Sequence, residues 1–319
     1  MLPWPPVSSL RPLDVKGAVI VLFLAALWGG NPVAVKVGLA DVPPLRLAWM
    51  RFLLGGLSIL AYALWTRRAG LLTVRPEEWR AIGSLGILFA VQIGLMNYGI
   101  ALTTASHSVV LVSSYAVHTV LLAHFFIAGD RLTVPTLAGV LLAYAGIVVV
   151  FARDFAQGGG TLLGDLVVAA SALLLGERIV YMARAVQKLD PVKLLLGQSA
   201  IGSLCFLGAS FVWEADIPSR YTVSLAGSLF FQGVVVAGFN FVVNAWLLQV
   251  YRPSTLAVWS LTSPLWGILI AVAVTGDELT PTLLLSSVLV AIGIGIATRK
   301  WGRAALTASA GPRRTGGGR

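Results

Sequence analysis

The chain has 319 residues, of which 57% are hydrophobic and only 11% are charged, and its mean hydropathy is +0.87. Soluble domains carry about 25% charged residues, so this composition excludes an ordinary soluble protein and indicates one that crosses a membrane several times. The net charge of +10 would suit nucleic-acid binding, but the placement of the basic residues, described below, argues against that partner.

Ten apolar stretches are long enough to be membrane helices, which need about 20 mostly apolar residues. We call them predicted spans 1 to 10, and they cover residues 16–37, 45–65, 79–102, 106–127, 134–152, 162–183, 194–213, 223–249, 254–274 and 281–298. The first run is too long for a signal-peptide core and no cleavage site follows it, so we expect it to be retained. The remaining segments are a proline-rich N-terminal arm (1–15), a glycine-rich linker (154–161) and a disordered basic tail (301–319).

The basic residues lie predominantly in alternate loops. On a ten-span topology, 17 Lys and Arg residues fall on the side of the two termini and four on the other side, while Arg51 and Arg178 lie within spans. Because positively charged loops stay in the cytoplasm, the pattern predicts a multi-pass protein of the cell (inner) membrane with both termini cytoplasmic.

The two halves of the chain resemble each other at an offset of 147 residues. The string GDRLT at 129–133 returns as GDELT at 276–280, and the same offset aligns Asn97 with Asn244 and Ser113 with Ser260. Each half (16–153 and 162–300) holds five predicted spans, an odd number, so the second half enters the membrane from the opposite face. The predicted fold is therefore an all-α integral membrane protein of ten transmembrane helices, built as two inverted five-helix repeats. This architecture is typical of secondary transporters.

The repeated string itself is predicted to be structural. Thr133 and Thr280 stand where a helix N-cap is needed, and Pro281 occupies the first helical position, which proline tolerates. The string thus ends one helix and begins the next in each half.

Three further stretches resemble the drug/metabolite transporter superfamily in its ten-helix EamA-type branch. They are LWGGNPVAVKVGL (27–39), RLAWMRFLLGG (46–56) and STLAVWSLTSPLWGILIAVAVTGDELT (254–280). The resemblance implies gradient-linked or proton-linked movement of small metabolites, often export of amino acids, through a pathway formed by helices 1, 3, 4, 6, 8 and 9. The chain departs from the family pattern at Asp130, where glutamate is common, and at Val117, which stands opposite Pro264 in the repeat.

Charged residues inside a span are costly, so each is a functional hypothesis. Glu177 and Arg178 lie well inside span 6, with Tyr181 one turn further. Neighbouring helical side chains diverge by about 100°, so these two cannot pair with each other. In one interpretation Glu177 is the titratable pathway group and Arg178 binds a substrate carboxylate. In the other, Glu177 forms a structural ion pair with Arg51. The first predicts that Glu177→Gln abolishes proton-coupled flux.

Lys36 and the asparagines have both structural and functional interpretations. Lys36, together with Arg51, matches recurring basic positions of the resembling family, but it lies near a helix end, where its amine can reach the interface. Asn97 and Asn244 form a repeat-related pair, accompanied by Tyr98 and by Asn240. They either bind a polar substrate from both halves or make hydrogen bonds between helices.

Further candidates lie in spans 1, 4 and 9. In span 4, His107, Ser114 and His118 share one face beside Tyr115, and His118 is deep enough to carry protons. The remaining candidate liners are Trp28 and Asn31 in span 1 and Trp259 and Ser263 in span 9. Helix packing is the alternative for each of them.

Other function classes find little support in the sequence. It contains no HExxH, P-loop or GxGxxG motif, and the single cysteine, Cys205, provides neither an intrachain disulfide nor a cysteine metal site. We therefore expect no enzyme activity, cofactor or metal. The leading hypothesis is a secondary transporter that exports amino acids or related polar metabolites, with protons as a possible coupling ion. An exporter of bulky cationic or aromatic compounds and a non-transporting receptor or scaffold stay as alternatives. The oligomeric state does not follow from the sequence.

Overall fold

The computed structural model describes residues 10–11, 13–66, 73–156, 162–282, 284–293 and 295–296. Most of the predicted N-terminal arm, most of the predicted linker and the whole predicted tail (301–319) lie outside these described residues. The first three linker residues, 154–156, are helical.

The described residues are almost entirely helical. The elements are α1 (Val15–Gly29), α2 (Asn31–Leu39), α3 (Pro44–Trp65), a 3-10 turn (Pro76–Glu78), α4 (Trp79–Leu102), α5 (Ala105–Ser113), α6 (Tyr115–Phe126), α7 (Val134–Ala156), α8 (Leu162–Ala185), α9 (Pro191–Trp213), α10 (Val223–Leu229), a π-helix (Phe230–Asn240), α11 (Phe241–Val250), α12 (Pro253–Ser260), α13 (Ser263–Thr275) and α14 (Leu284–Gly293). Within these described ranges the only extended pairing is an isolated bridge between Arg11 and Tyr251.

Eight helical segments are long and apolar enough to cross a membrane. They are Val15–Leu39, Pro44–Trp65, Pro76–Leu102, Ala105–Phe126, Leu162–Ala185, Pro191–Trp213, Val223–Val250 and Pro253–Thr275. They correspond to predicted spans 1–4 and 6–9. Predicted spans 5 and 10 are represented by two shorter apolar helices, Val134–Gly146 and Leu284–Gly293. The chain is thus an all-α, multi-pass membrane protein.

Helix starts follow local capping chemistry. Asp14 accepts a hydrogen bond from the Gly17 N–H (2.7 Å) before α1, and Asp190 accepts one from Val192 (2.8 Å) before α9. Such side chains satisfy N–H groups that have no partner inside the helix. The Gly17 N–H is also the main reason why the pKa of Asp14 lies below its usual value.

Several spans are interrupted near their middle. Span 4 breaks at Ser114 and span 9 breaks at Leu261, and these two positions are related by the 147-residue offset. Span 1 breaks at Gly30, and span 8 widens into a π-helix over Phe230–Asn240. π-Helical segments are frequent at functional sites, and the cavities described below lie beside these interruptions.

The contact between α7 and α14 obeys the internal repeat. A Cβ atom on Gly146 would lie 2.9 Å from the Ser286 carbonyl oxygen, and one on Gly293 would lie 2.5 Å from the Gly139 carbonyl oxygen. The offset of 147 relates Gly146 to Gly293 and Gly139 to Ser286, so the two contacts are equivalent. In each contact the residue that comes later in one helix meets the residue that comes earlier in the other helix. These repeat-related helices therefore cross antiparallel.

The GD pairs of the repeated string also connect the two halves. Gly129 (φ 81°) and Gly276 (φ 71°) adopt the left-handed conformation. Asp277 then accepts a hydrogen bond from the Ser106 N–H at the start of α5 (2.8 Å). Asp130 accepts hydrogen bonds from the Ser254 N–H (3.3 Å) and hydroxyl at the start of α12. Each aspartate therefore caps a helix of the other half, a role that sequence analysis missed. Burial raises the pKa of Asp130.

Thr133 was predicted as an N-cap, and its Oγ1 accepts a hydrogen bond from the Thr136 N–H (3.4 Å).

These caps make a testable contribution to stability. We expect Asp130→Ala and Asp277→Ala each to lower the free energy of unfolding by about 1 kcal/mol, because an N–H group at the start of a helix loses its acceptor. Thermal unfolding of the purified protein in detergent measures the effect. The Asp→Asn variants keep an acceptor and should lose less. Alanine variants that unfold at the wild-type temperature would show that the caps contribute nothing.

Candidate functional site

A cavity of about 610 Å³ lies among α1, α8, α9, α11 and α12. The polar side chains at its wall are Arg178, Gln198, Asn240, Asn244 and Ser260. We call it the large cavity.

Arg178 is the charged group of the large cavity. Its side chain is buried, with 6% of its surface exposed, and its Nε atom has no hydrogen-bond partner. The guanidinium lies over the rings of Phe89 (4.9 Å) and Phe241 (5.4 Å). Within the described part of the chain no acidic side chain pairs with it. Aromatic faces offset part of the cost of burying a cation, but the charge stays without a counter-ion.

Two amides of the large cavity differ in how they are held. Asn240 donates a hydrogen bond from Nδ2 to the Leu24 carbonyl (2.9 Å), which fixes its orientation. Gln198 is fully buried, and neither its Oε1 nor its Nε2 atom has a hydrogen-bond partner. An amide left unsatisfied in this way is costly, so Gln198 is available to a polar ligand.

A second cavity of about 200 Å³ lies on the other side of Trp28 and Phe241, and we call it the small cavity. Asn31, Arg51 and Gln232 supply its polar groups. Arg51 is also buried, with 2% exposed. Its Nη1 donates to the Gln232 Oε1 (2.8 Å), its Nε has no partner, and its guanidinium lies over the Phe52 ring (4.4 Å). Its hydrogen-bond partner is a neutral amide and not an acid.

The two cavities extend toward opposite ends of the bundle. Trp28 and Phe241 line both cavities, and their ring centroids are 5.6 Å apart. In the span Val223–Val250, Gln232 near the beginning lines the small cavity, whereas Leu248 near the end lines the large one. The Trp28–Phe241 pair therefore forms the wall between two compartments at different depths.

Hydrogen bonds join helical segments at both ends of the bundle. Lys36 donates hydrogen bonds from Nζ to the carbonyls of Ile100 (3.1 Å) and Thr103 (2.6 Å), where its charge suits the C-terminal end of α4. At the other end, Gln187 donates to the Leu248 carbonyl (3.1 Å). Lys36 also donates to Ala101, which is related to Leu248 by the 147-residue offset. The acceptor positions are thus repeat-related, whereas the donors are not, because the offset relates Lys36 to Ala183.

Several predicted site residues meet at the cavities. Trp28, Arg178, Asn240 and Asn244 line the large cavity, and Asn31 lines the small one. Tyr115 is buried with its ring edge-on to Trp28, at a centroid distance of 6.2 Å.

Two predicted residues point away from the cavities. Glu177 is exposed on the outer face of α8, and Tyr98 is 54% exposed on α4. Each stands next to an inward-facing residue, Arg178 or Asn97, and the 100° step along a helix turns it outward. The alternative ion pair between Glu177 and Arg51 is not formed, because Arg51 is bonded to Gln232.

The other predicted residues contact neighbouring helices. Asn97 donates to the Pro44 carbonyl (3.0 Å), the Ser263 hydroxyl lies 3.3 Å from that of Ser113, and the His118 ring stands edge-on to Tyr144 at 6.1 Å. Tyr181 and Trp259 pack against an apolar cluster. These five residues line neither cavity.

Sequence reasoning missed Gln198, Gln232 and Phe241, and did not include Arg51 among the candidate site residues. One signal was present in the sequence. The offset of 147 relates Arg51 to Gln198 and Asn31 to Arg178, so each half carries one arginine and one amide at these two positions.

Comparisons with known proteins agree with this architecture. The sequence profile of the EamA-like transporter family matches residues 15–152 and again residues 162–299. The second match lies 147 residues after the first, so the profile finds the same repeat. The chain belongs to the EamA-like transporter family.

Curated relatives cover nearly the whole chain. It is 23% identical to the "Uncharacterized transporter YoaV" of Bacillus subtilis, over 91% of this chain and 99% of that protein. It is 25% identical to a "Probable amino-acid metabolite efflux pump" of Escherichia coli, over 88% and 94%. It is 23% identical to the "Uncharacterized inner membrane transporter YedA" of Escherichia coli, over 84% and 85%. A solved crystal structure has the same fold, with a TM-score of 0.70 at 21% identity, covering 91% of this chain and 99% of its own.

Proposed function

We propose that the protein is a secondary active transporter that exports small carboxylated metabolites by alternating access, with amino acids of apolar or aromatic side chain as the best-fitting class. The observation that carries this proposal is Arg178, a buried guanidinium that faces the large cavity without an acidic partner among the described residues. A substrate carboxylate supplies the missing counter-ion and accepts charge-assisted hydrogen bonds.

The rest of the large cavity suits the remainder of an amino acid. Its wall is mainly apolar, with Leu175, Met182 and Leu248 beside Trp28 and Phe241. Asn244 and Ser260 offer oxygen atoms to an amino group. An amphipathic carboxylate therefore finds its charge, its polar group and its apolar part accommodated in one compartment.

Alternating access is supported by two features of the fold. The repeat-related helices α7 and α14 cross antiparallel, as inverted repeats require, and the two cavities extend to opposite ends of the bundle. Inverted repeats exchange their conformations when such transporters change the side to which they are open. Ten spans, with α7 and α14 as spans 5 and 10, belong to this proposal.

The alternative of a cation exporter has weaker support. Aromatic rings around the cavities would favour cations, but the buried charged residues there are Arg51 and Arg178, which repel them. Glu177, the acid on which that alternative depended, is exposed outside the cavities. Since no acidic residue lines either described cavity, proton coupling stays a prediction without an assigned carboxylate.

Three matched compounds test the substrate class. L-Phenylalanine has both charged groups, 3-phenylpropionate lacks only the amine, and phenethylamine lacks only the carboxylate. We expect the first two, but not the third, to raise the thermal unfolding temperature of the purified protein, and L-phenylalanine to be transported in proteoliposomes. Stabilisation by phenethylamine alone would favour the cation exporter instead.

In the proposed topology the protein lies in the cell (inner) membrane and both of its termini are in the cytoplasm. We expect a reporter enzyme that functions only in the cytoplasm to be active when it is fused after Arg303, because 17 basic residues lie on that side. Activity of a reporter that requires the external compartment would contradict the ten-span count.

A further inference from the structure

The two cavities are lined by equivalent positions of the two halves. The offset of 147 relates Trp28 to Leu175, Asn31 to Arg178, Arg51 to Gln198 and Ile93 to Asn240. The first member of every pair lines the small cavity, and the second member lines the large cavity. Four of the lining positions of the small cavity are therefore repeated in the large one.

At two pairs of repeat-related positions, each cavity carries one arginine and one amide, but in exchanged order. In the large cavity the arginine is on the sixth span (Arg178) and the amide on the seventh (Gln198). In the small cavity the amide is on the first span (Asn31) and the arginine on the second (Arg51). Both arrangements place one guanidinium and one amide at the wall of a compartment that ends at Trp28 and Phe241.

Neither arginine has its charge neutralised. Among the described residues Arg51 bonds the neutral Gln232 and retains an unpartnered Nε, and Arg178 retains an unpartnered Nε as well. Each of these guanidinium groups would therefore gain from an anion placed beside it.

We propose that the small cavity is a second carboxylate half-site, centred on Arg51, which binds the substrate when the protein is open to the opposite side. This inference rests on the proposed function, since it takes the same carboxylate class as the ligand. The small cavity is the smaller of the two, with about 200 Å³ against about 610 Å³, so in the described conformation the Arg178 half-site is the one that accepts substrate. Exchange of the two repeat conformations enlarges the Arg51 half-site and closes the other.

The test compares the two directions of transport in oriented proteoliposomes, with tritiated L-phenylalanine as the substrate. We expect Arg51→Gln to raise KM on the order of 10²-fold for substrate added on the side of the small cavity. The KM from the side of the large cavity should stay near the wild-type value, because Arg178 is intact. Arg220→Gln removes an exposed loop arginine and should leave both KM values unchanged.

A second variant tests the exchange of positions without altering Arg51. Arg178→Asn should lose stabilisation by L-phenylalanine, and the double variant Arg178→Asn, Gln198→Arg should regain it, because it recreates the arrangement of Asn31 and Arg51.

The outcomes separate this inference from the proposed function. If wild-type protein neither binds nor transports L-phenylalanine or 3-phenylpropionate, the proposed function fails and the half-site with it. If Arg178→Gln abolishes transport but Arg51→Gln changes KM equally from both sides or not at all, the half-site is wrong while the proposed function stands. Failure of the double variant to regain binding would likewise overturn the equivalence.

Discussion

Arg178→Gln is expected to lower L-phenylalanine transport by at least about 30-fold, because losing one partner of a buried, hydrogen-bonded charge pair costs about 2–5 kcal/mol. Glutamine keeps much of the side-chain length and a donor, so the loss reports the missing charge. Initial rates in proteoliposomes measure the effect.

Glu177→Gln is the matched variant on the same helix. One of the two sequence interpretations predicts that it abolishes flux, but Glu177 is exposed and lines neither cavity. We now expect wild-type rates. A loss of transport in Glu177→Gln together with normal rates in Arg178→Gln would contradict the assignment of the cavity.

The stability of Arg178 variants without substrate gives the second large effect. We expect the unfolding temperature of Arg178→Met to be at least as high as that of the wild type. Replacing a buried charge by an apolar side chain of similar volume is often neutral or stabilising by about 1–4 kcal/mol. Methionine also keeps a favourable contact with the Phe89 and Phe241 rings. The same variant should lose all stabilisation by L-phenylalanine.

Arg46→Met is the control for that measurement. Arg46 donates hydrogen bonds to the carbonyls of Ile217 (2.9 Å) and Glu214 (2.6 Å) and to the Ser219 hydroxyl, so its loss leaves acceptors unpaired and should destabilise the protein. If Arg178→Met destabilises the protein as much as Arg46→Met does, Arg178 has a structural role and not a binding role.

The internal repeat was accessible from sequence because polar positions repeat at a fixed offset. The pair of GD strings gave the offset of 147, and the double match of the family profile confirms it. The partners of Asp130 and Asp277 were not predictable, because they lie in the opposite half and depend on how the halves pack.

It was harder to predict which face of a helix points to the interior of the bundle. Sequence reasoning recognised that Glu177 and Arg178 lie on different faces of one helix, but it could not tell which face points inward. In a membrane, lipid is as apolar as the protein core, so hydrophobic periodicity does not separate the two. Gln198 and Phe241 gave no signal for a related reason, since single amides and aromatic residues are common in packed membrane helices.

The central claim is that the large and small cavities are open to opposite sides of the membrane and exchange access. Single cysteines at Leu248, in the large cavity, and at Met96, in the small one, test it in a background where the exposed Cys205 is replaced by serine. A membrane-impermeant maleimide is added from either side, with and without L-phenylalanine. We expect Leu248→Cys to react from the cytoplasmic side and Met96→Cys from the outer side, and conditions that speed one reaction should slow the other. Reaction of both cysteines from the same side, or rates that rise and fall together, would contradict it.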